Sequence, residues 1–250
     1  MWRPFRQTLI EGHLFYVEQA RKRLLSQFED IELEADRAAE EWLEQQGDRF
    51  DPDRHDPGDF YEKANDVGIE FYQLLSNMRD QTRLSAAAGM FHEWDKQLRD
   101  WLTREILHWH HGDTITSKVW SVDFLKITDL IEGFGWEVRN TDYFKKLDAC
   151  RLVVNVYKHG KGNSLDDLLQ NYPEYIEDPL ASLSVGYSVK NYLDHTHLKL
   201  TNEQFQEFSD AIVAFWRGVP EKIFNLETHS VPDWFDKAIQ KDRAISAEGH

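Results

Sequence analysis

From Phe5 to Gln46 apolar residues return at every third or fourth position: Ile10, Leu14, Val17, Ala20, Leu24, Phe28, Ile31, Ala35, Ala38 and Trp42. That period lays an apolar stripe along an α-helix and does not match the alternation of a strand. No proline interrupts the stretch, and no glycine follows Gly12 before Gly47. A chain that opens this way is committed to helix packing on helix. Gly47 and the segment DPDRHDPGD, with Pro52 and Pro57, then read as a turn-rich loop.

The same period resumes from about Phe60 to His110, with a break expected near Ser85 to Gly89 and a stop at HHGD, residues 110–113. A helix around Ser121 to Glu132 ends at Gly133, Phe134 and Gly135. Asn140 or Thr141 offers an N-cap for a helix from Asp142 to about His159, and Gly160 and Gly162 provide its exit. Ser164 reads as the cap of a short helix ending at Pro173. Between 183 and 200 the pattern shifts towards a short irregular or β-like excursion, and TNEQ at 201–204 forms a capping box for the helix through FSDAIVAFWRG. A final helix near Trp234 to Ile245 follows Pro232. The expected architecture is all-α: one helical domain over 1–250, with acidic N-terminal helices in 1–85, a bundle in 90–215 and a helical tail in 216–250.

A chain of 250 residues with fifteen Phe, nine Trp and nine Tyr can bury a substantial aromatic core. Its apolar runs are only a few residues long, which predicts no transmembrane helix, and MWRPFRQTLIEGHLF lacks the apolar region of a signal peptide. A single cysteine, Cys150, excludes an internal disulfide and a multi-cysteine zinc site and fits a reducing cytoplasm. The net charge of −16 argues against broad nucleic-acid binding, but the charge is uneven. Acid concentrates in residues 28–60, whereas Arg139, Lys145, Lys146, Arg151, Lys158 and Lys161 face only Asp142 and Asp148.

That basic island coincides with RLVVNVYKHGKG, residues 151–162. At helical spacing Arg151, Asn155 and His159 stack along one stripe. Attack of a ribose 2′-hydroxyl on its own phosphodiester needs a group that exchanges protons near neutrality, and histidine is suited to that. It also needs cations and donors where charge grows on the phosphate, which Arg151, Lys158 and the Asn155 amide can supply. The bland alternative is a polar network in which Arg, Asn and His satisfy one another on a packing face.

A helical domain with a late helix carrying arginine, then asparagine, then histidine resembles the HEPN superfamily, a group of helical-bundle proteins that includes many metal-independent ribonucleases. Asn155 and His159 match the family's asparagine and histidine with three residues between them. The arginine departs from the pattern: Val154 stands directly before Asn155, and seven residues separate Arg151 from His159, against the family's four to six. The resemblance covers about residues 90–215. It implies an HEPN-like bundle, a homodimer whose motif helices meet, and a metal-independent endoribonuclease of a bacterial defence or toxin–antitoxin module. In that reading His159 is the acid/base and Arg151 and Asn155 lie at the phosphate. Lys145, Lys146, Lys158 and Lys161 hold RNA, no cofactor is required, and an antitoxin or defence-complex protein is a further partner. The rival reading is a non-catalytic HEPN-like interaction or adaptor protein.

Other constellations carry less. HWHHGD (108–113) and DHTH (194–197) invite a metal, but HExxH and a second ExxH pair are absent, and the expectation is no metal site. No GxSxG elbow, Walker loop or dinucleotide glycine loop occurs.

Overall fold

Helical periodicity on this scale is realised throughout the structure. The computed structural model describes residues 1–179, 192–221 and 230–248. Among these the regular structure is all α-helical, with short 3-10 turns, and the only β pairing is an isolated antiparallel bridge between Ile176 and Leu198. The helices are α1 (Arg3–Arg23), α2 (Ile31–Gln46), α3 (Pro57–Leu107), α4 (Asp113–Ser121), α5 (Phe124–Gly133), α6 (Asp142–His159), α7 (Asn163–Asn171), α8 (Asn202–Gly218) and α9 (Asp233–Glu248). No helix among the described residues is long and apolar enough to cross a membrane. The described residues group into two compact units, Glu18–Ala86 and Met1–Val17 with Ala87–His250.

In the smaller unit small residues set the helix spacing. A Cβ on Gly68 of α3 would lie 3.2 Å from the Ala35 carbonyl oxygen and 3.3 Å from the Ala39 Cβ of α2, so the two helices approach closely there. Phe60 closes the end of this pair against Trp42 and Phe50, with ring centroids 6.1 and 5.2 Å away. Two helices cannot cover every apolar side chain, and Tyr61, Leu74 and Met78 of α3 remain exposed.

The larger unit is built around α8, whose Phe205, Phe208, Ile212, Phe215 and Trp216 are buried. Phe215 meets Trp94 of α3 edge-on at 5.1 Å and Trp136 at 5.0 Å, and Trp216 meets Trp101 at 6.3 Å. Such pairs add about 0.5–1.5 kcal/mol each beyond their area burial. The capping box of α8 is formed: Gln204 N–H donates to Thr201 Oγ1 at 3.1 Å, and Thr201 N–H donates to Gln204 Oε1 at 2.8 Å. α4 is capped from a distance. Its Thr114 and Ile115 N–H groups donate to the buried Asp242 carboxylate of α9 at 2.9 and 3.0 Å. Any side chain at Gly112 would collide with Asp242, whose Oδ2 lies 2.1 Å from the Cβ position.

Several boundaries differ from the sequence expectation. The first helical stretch divides at a 3-10 turn over Leu25–Phe28. α3 runs unbroken through Ser85 to Gly89, and Gly89 leaves room for Tyr16, whose hydroxyl would sit 2.4 Å from a Cβ there. The helix expected from Ser121 to Glu132 is α5, which starts only at Phe124, where Asp123 accepts from Lys126 N–H at 2.9 Å; α4 precedes it as a separate helix that the sequence reading did not expect. Thr141 precedes α6 but its hydroxyl donates back to the Val138 carbonyl, so α6 has no side-chain cap. Ser164 lies inside α7, whose N-cap is Gly162. The β-like excursion falls partly on residues 180–191, outside the described residues; its described remainder is a 3-10 turn over His195–His197 beside the Ile176–Leu198 bridge.

A buried histidine gives this unit a pH dependence. His13 Nε2 lies 2.9 Å from Ser209 Oγ. Burial pushes the imidazole down to about 4 despite the Ser209 hydrogen bond and the nearby Asp210 carboxylate. The unfolded chain therefore binds this proton near pH 6.5 and the folded chain near 4, so the stabilisation is complete above 6.5 and is lost as pH falls towards 4. Its size is roughly 2–4 kcal/mol. Urea unfolding at pH 7 and pH 4.5 should show His13→Gln losing much less stability between the two than the parent; equal losses would remove His13 as the source.

Candidate active site

α6 is apolar along most of its length, with Leu147, Ala149, Cys150, Leu152, Val153, Val154 and Val156 buried, and it packs on α7 and α8. Within the packed stretch Arg151 and Asn155 are half-buried, and beyond it Lys158 and His159 are exposed. Eight helical steps lead from Arg151 to His159, a rise of about 12 Å.

Arg151 is engaged within its own helix. Its Nη2 and Nε lie 2.7 and 2.8 Å from Asp148 Oδ1, and only 15% of its side chain is exposed. Tyr172, just after α7, donates its hydroxyl to the other Asp148 oxygen at 3.1 Å. Partial burial and the Asp148 charge push the Tyr172 phenol up to about 12. This carboxylate therefore holds both an arginine and a tyrosine. Asn155 makes no side-chain hydrogen bond among the described residues.

The exit of α6 is different. Gly160 has φ +71°, a conformation that other residues rarely adopt, and its N–H closes the helix on the Val156 carbonyl at 2.8 Å. A Cβ on Gly160 would lie 3.5 Å from Cγ of His195, so the 3-10 turn over His195–His197 sits directly against the helix exit. That turn is internally tied. Asp194 accepts from Thr196 N–H at 2.9 Å and from its hydroxyl at 2.6 Å, while Asp194 N–H donates to His197 Nδ1 at 3.1 Å. Hydrogen bonds from Thr196 hold the Asp194 carboxyl down at about 2. Glu177 N–H donates to the His197 carbonyl and Lys199 N–H to the Tyr175 carbonyl, at 2.8 and 2.9 Å, which fixes the turn to the preceding segment. His195 itself is exposed. Lys161 Nζ lies 3.8 Å from Asp194 Oδ2. On α3, His92 is pushed down by partial burial and then by the charge of Lys158, which marks it as a neighbour of this corner.

The six cations expected as one basic island do not share one surface role. Arg139 is bound by Asp129 and Glu132, Lys146 by Glu207 at 2.7 Å, and Arg151 by Asp148. Lys145 and Lys158 are exposed and have no carboxylate partner among the described residues. Thirteen helical steps put them about 20 Å apart.

The two histidine-rich segments stay separate. His110 is buried and lies 3.3 Å from Asp242, while His197 is held by Asp194; among the described residues no three His, Cys, Asp or Glu side chains form a group able to hold a metal. Sequence reading counted Asp148 only as an opposing charge, although its i, i+3 spacing to Arg151 is that of a helical ion pair. Tyr172 left no signal. His195 was visible in DHTH, but its approach to Gly160 depends on the folded chain.

Cys150 sits fully buried beside Arg151, and burial pushes its thiol up. Iodoacetamide at pH 8 should leave it unmodified in the native protein and label it once the chain is unfolded in urea; rapid native labelling would contradict the packing of α6. No protein-family model, no curated protein and no solved structure matches this chain.

Proposed function

We propose that the protein cleaves single-stranded RNA without a metal ion at the C-terminal end of α6, as a cytoplasmic HEPN-like endoribonuclease of a bacterial defence or toxin–antitoxin module. The observation that carries this reading is the exposed His159 at a helix end with the exposed Lys158 beside it, and a second exposed imidazole, His195, against Gly160. His159 directly precedes Gly160, against which His195 packs, so both residues stand at the C-terminal end of α6.

The chemistry requires two proton movements. The 2′-oxygen attacks phosphorus as His159 takes the hydroxyl proton. The bond from phosphorus to the 5′-oxygen breaks as protonated His195 gives its proton to that oxygen. The products are a 2′,3′-cyclic phosphate and a 5′-hydroxyl, and exchange with water resets both rings. Negative charge growing on the phosphate is met first by Lys158 and Lys161. Arg151 reaches a phosphate only by leaving Asp148, and Asn155 lies between the two positions. A homodimer that brings two α6 ends together would offer a second copy's Arg151 to the same site. Lys145 suits a more distant phosphate of a bound strand.

A second reading has its own observation. The Asp148–Arg151 pair and its Tyr172 hydrogen bond are what a scaffold without catalysis retains, because removing one partner of a shielded pair leaves an uncompensated charge. An HEPN-like adaptor would then use the acidic α2 and the exposed Tyr61, Leu74 and Met78 of α3 to hold a protein partner such as an antitoxin.

Purified protein should cut single-stranded RNA in EDTA and leave cyclic phosphate ends. His159→Ala should lower the rate by about 10²–10⁴-fold and Lys158→Ala by about tenfold. His195→Ala should be slow on RNA yet near normal on an aryl phosphodiester whose leaving group needs no proton. An equal rate for His159→Ala and the parent would remove the catalytic assignment. A protein inert on RNA and harmless on overexpression, but purified with a stoichiometric partner, would favour the adaptor.

A further inference from the structure

On the larger unit, away from the end of α6, an open cavity of about 500 Å³ lies along α4 and α9. Three cations line it: Lys118 from α4, and Lys237 and Lys241 from α9, one helical turn apart. All three are exposed, and none has a carboxylate partner among the described residues. In a chain of net charge −16 three unpaired lysines around one cavity form a local reversal of sign. The single acid lining the cavity is Asp233.

The rest of the lining is Trp234, Thr114 and Ala238. Trp234 forms one wall and Thr114 contributes from the first turn of α4. The indole N–H of Trp234 is shielded from solvent and has no acceptor among the described residues. The positive character does not come from the start of α4, because Asp242 already takes the Thr114 and Ile115 N–H groups. It comes from the lysines, which bind phosphate as mobile point charges.

We propose that this cavity binds a mononucleotide, with the phosphates held by Lys118, Lys237 and Lys241 and the base placed against Trp234. The cavity lies in the size range of small-ligand sites, and an indole face offers stacking to any base. The site does not depend on ribonuclease activity.

Isothermal titration of the 250-residue chain with ATP, AMP, adenosine and pyrophosphate tests the assignment. The expected result is saturable binding of ATP and AMP that weakens with added salt, with adenosine and pyrophosphate each binding at least tenfold more weakly than ATP. Lys237→Gln with Lys241→Gln should reduce ATP affinity by tenfold or more, with helix content by circular dichroism unchanged. Trp234→Leu should bring ATP down to the affinity of pyrophosphate. Absence of nucleotide binding, equal binding by the double lysine variant, or pyrophosphate binding as tightly as ATP would each overturn the proposal.

Discussion

From Leu147 to Val156 α6 is enclosed by its neighbours, through seven buried side chains. That enclosure leaves little room for polar groups until the helix ends. A charge that remains inside the packed stretch must bring its own counter-charge, because an unpaired ion shielded from water is costly. Arg151 does this with Asp148 one turn earlier. Lys158 and His159 escape the requirement because the helix emerges there, and Gly160 turns the chain away with a backbone that other residues rarely adopt. The same packing therefore determines which of the motif's polar residues are structural partners and which face solvent.

Electrostatics at the surface follow from this arrangement. Read as sequence, six cations in twenty-three residues suggest a basic face. In the folded chain Arg139, Lys146 and Arg151 are each matched by carboxylates, two of them from residues distant in sequence. The positive charge left over is local rather than broad: Lys145 and Lys158 about 20 Å apart on α6, and the lysines of α4 and α9 around their cavity. Local charge suits recognition of one phosphate or one small anion. It does not suit the nonspecific coating of a polyanion, consistent with the overall charge of −16.

The helical class was legible because periodicity is a local property. The stripe from Ile10 to Trp42, the TNEQ box and the Gly160 exit can each be read from a few neighbouring residues, and each has its counterpart in the structure. Interruptions were harder. Ser85 to Gly89 looked like a break because glycine weakens a helix, whereas Gly89 is a contact point for Tyr16. α4 went unnoticed because its first turn is completed by Asp242, which lies more than a hundred residues later. The candidate site divides in the same way. The spacing of Arg151, Asn155 and His159 was visible, but Tyr172 on Asp148 and His195 against Gly160 are meetings made by the tertiary fold. No pattern within the motif encodes them.

The central claim is that His159 and His195 form one phosphodiester-binding corner. Imidazole NMR signals, assigned with His159→Gln and His195→Gln, can be followed while a single-stranded oligonucleotide blocked by 2′-deoxyribose is added. The two signals should move together along one saturation curve, with His55 and His13 unaffected. A titration that leaves both signals still, or moves only one of them, would contradict the claim.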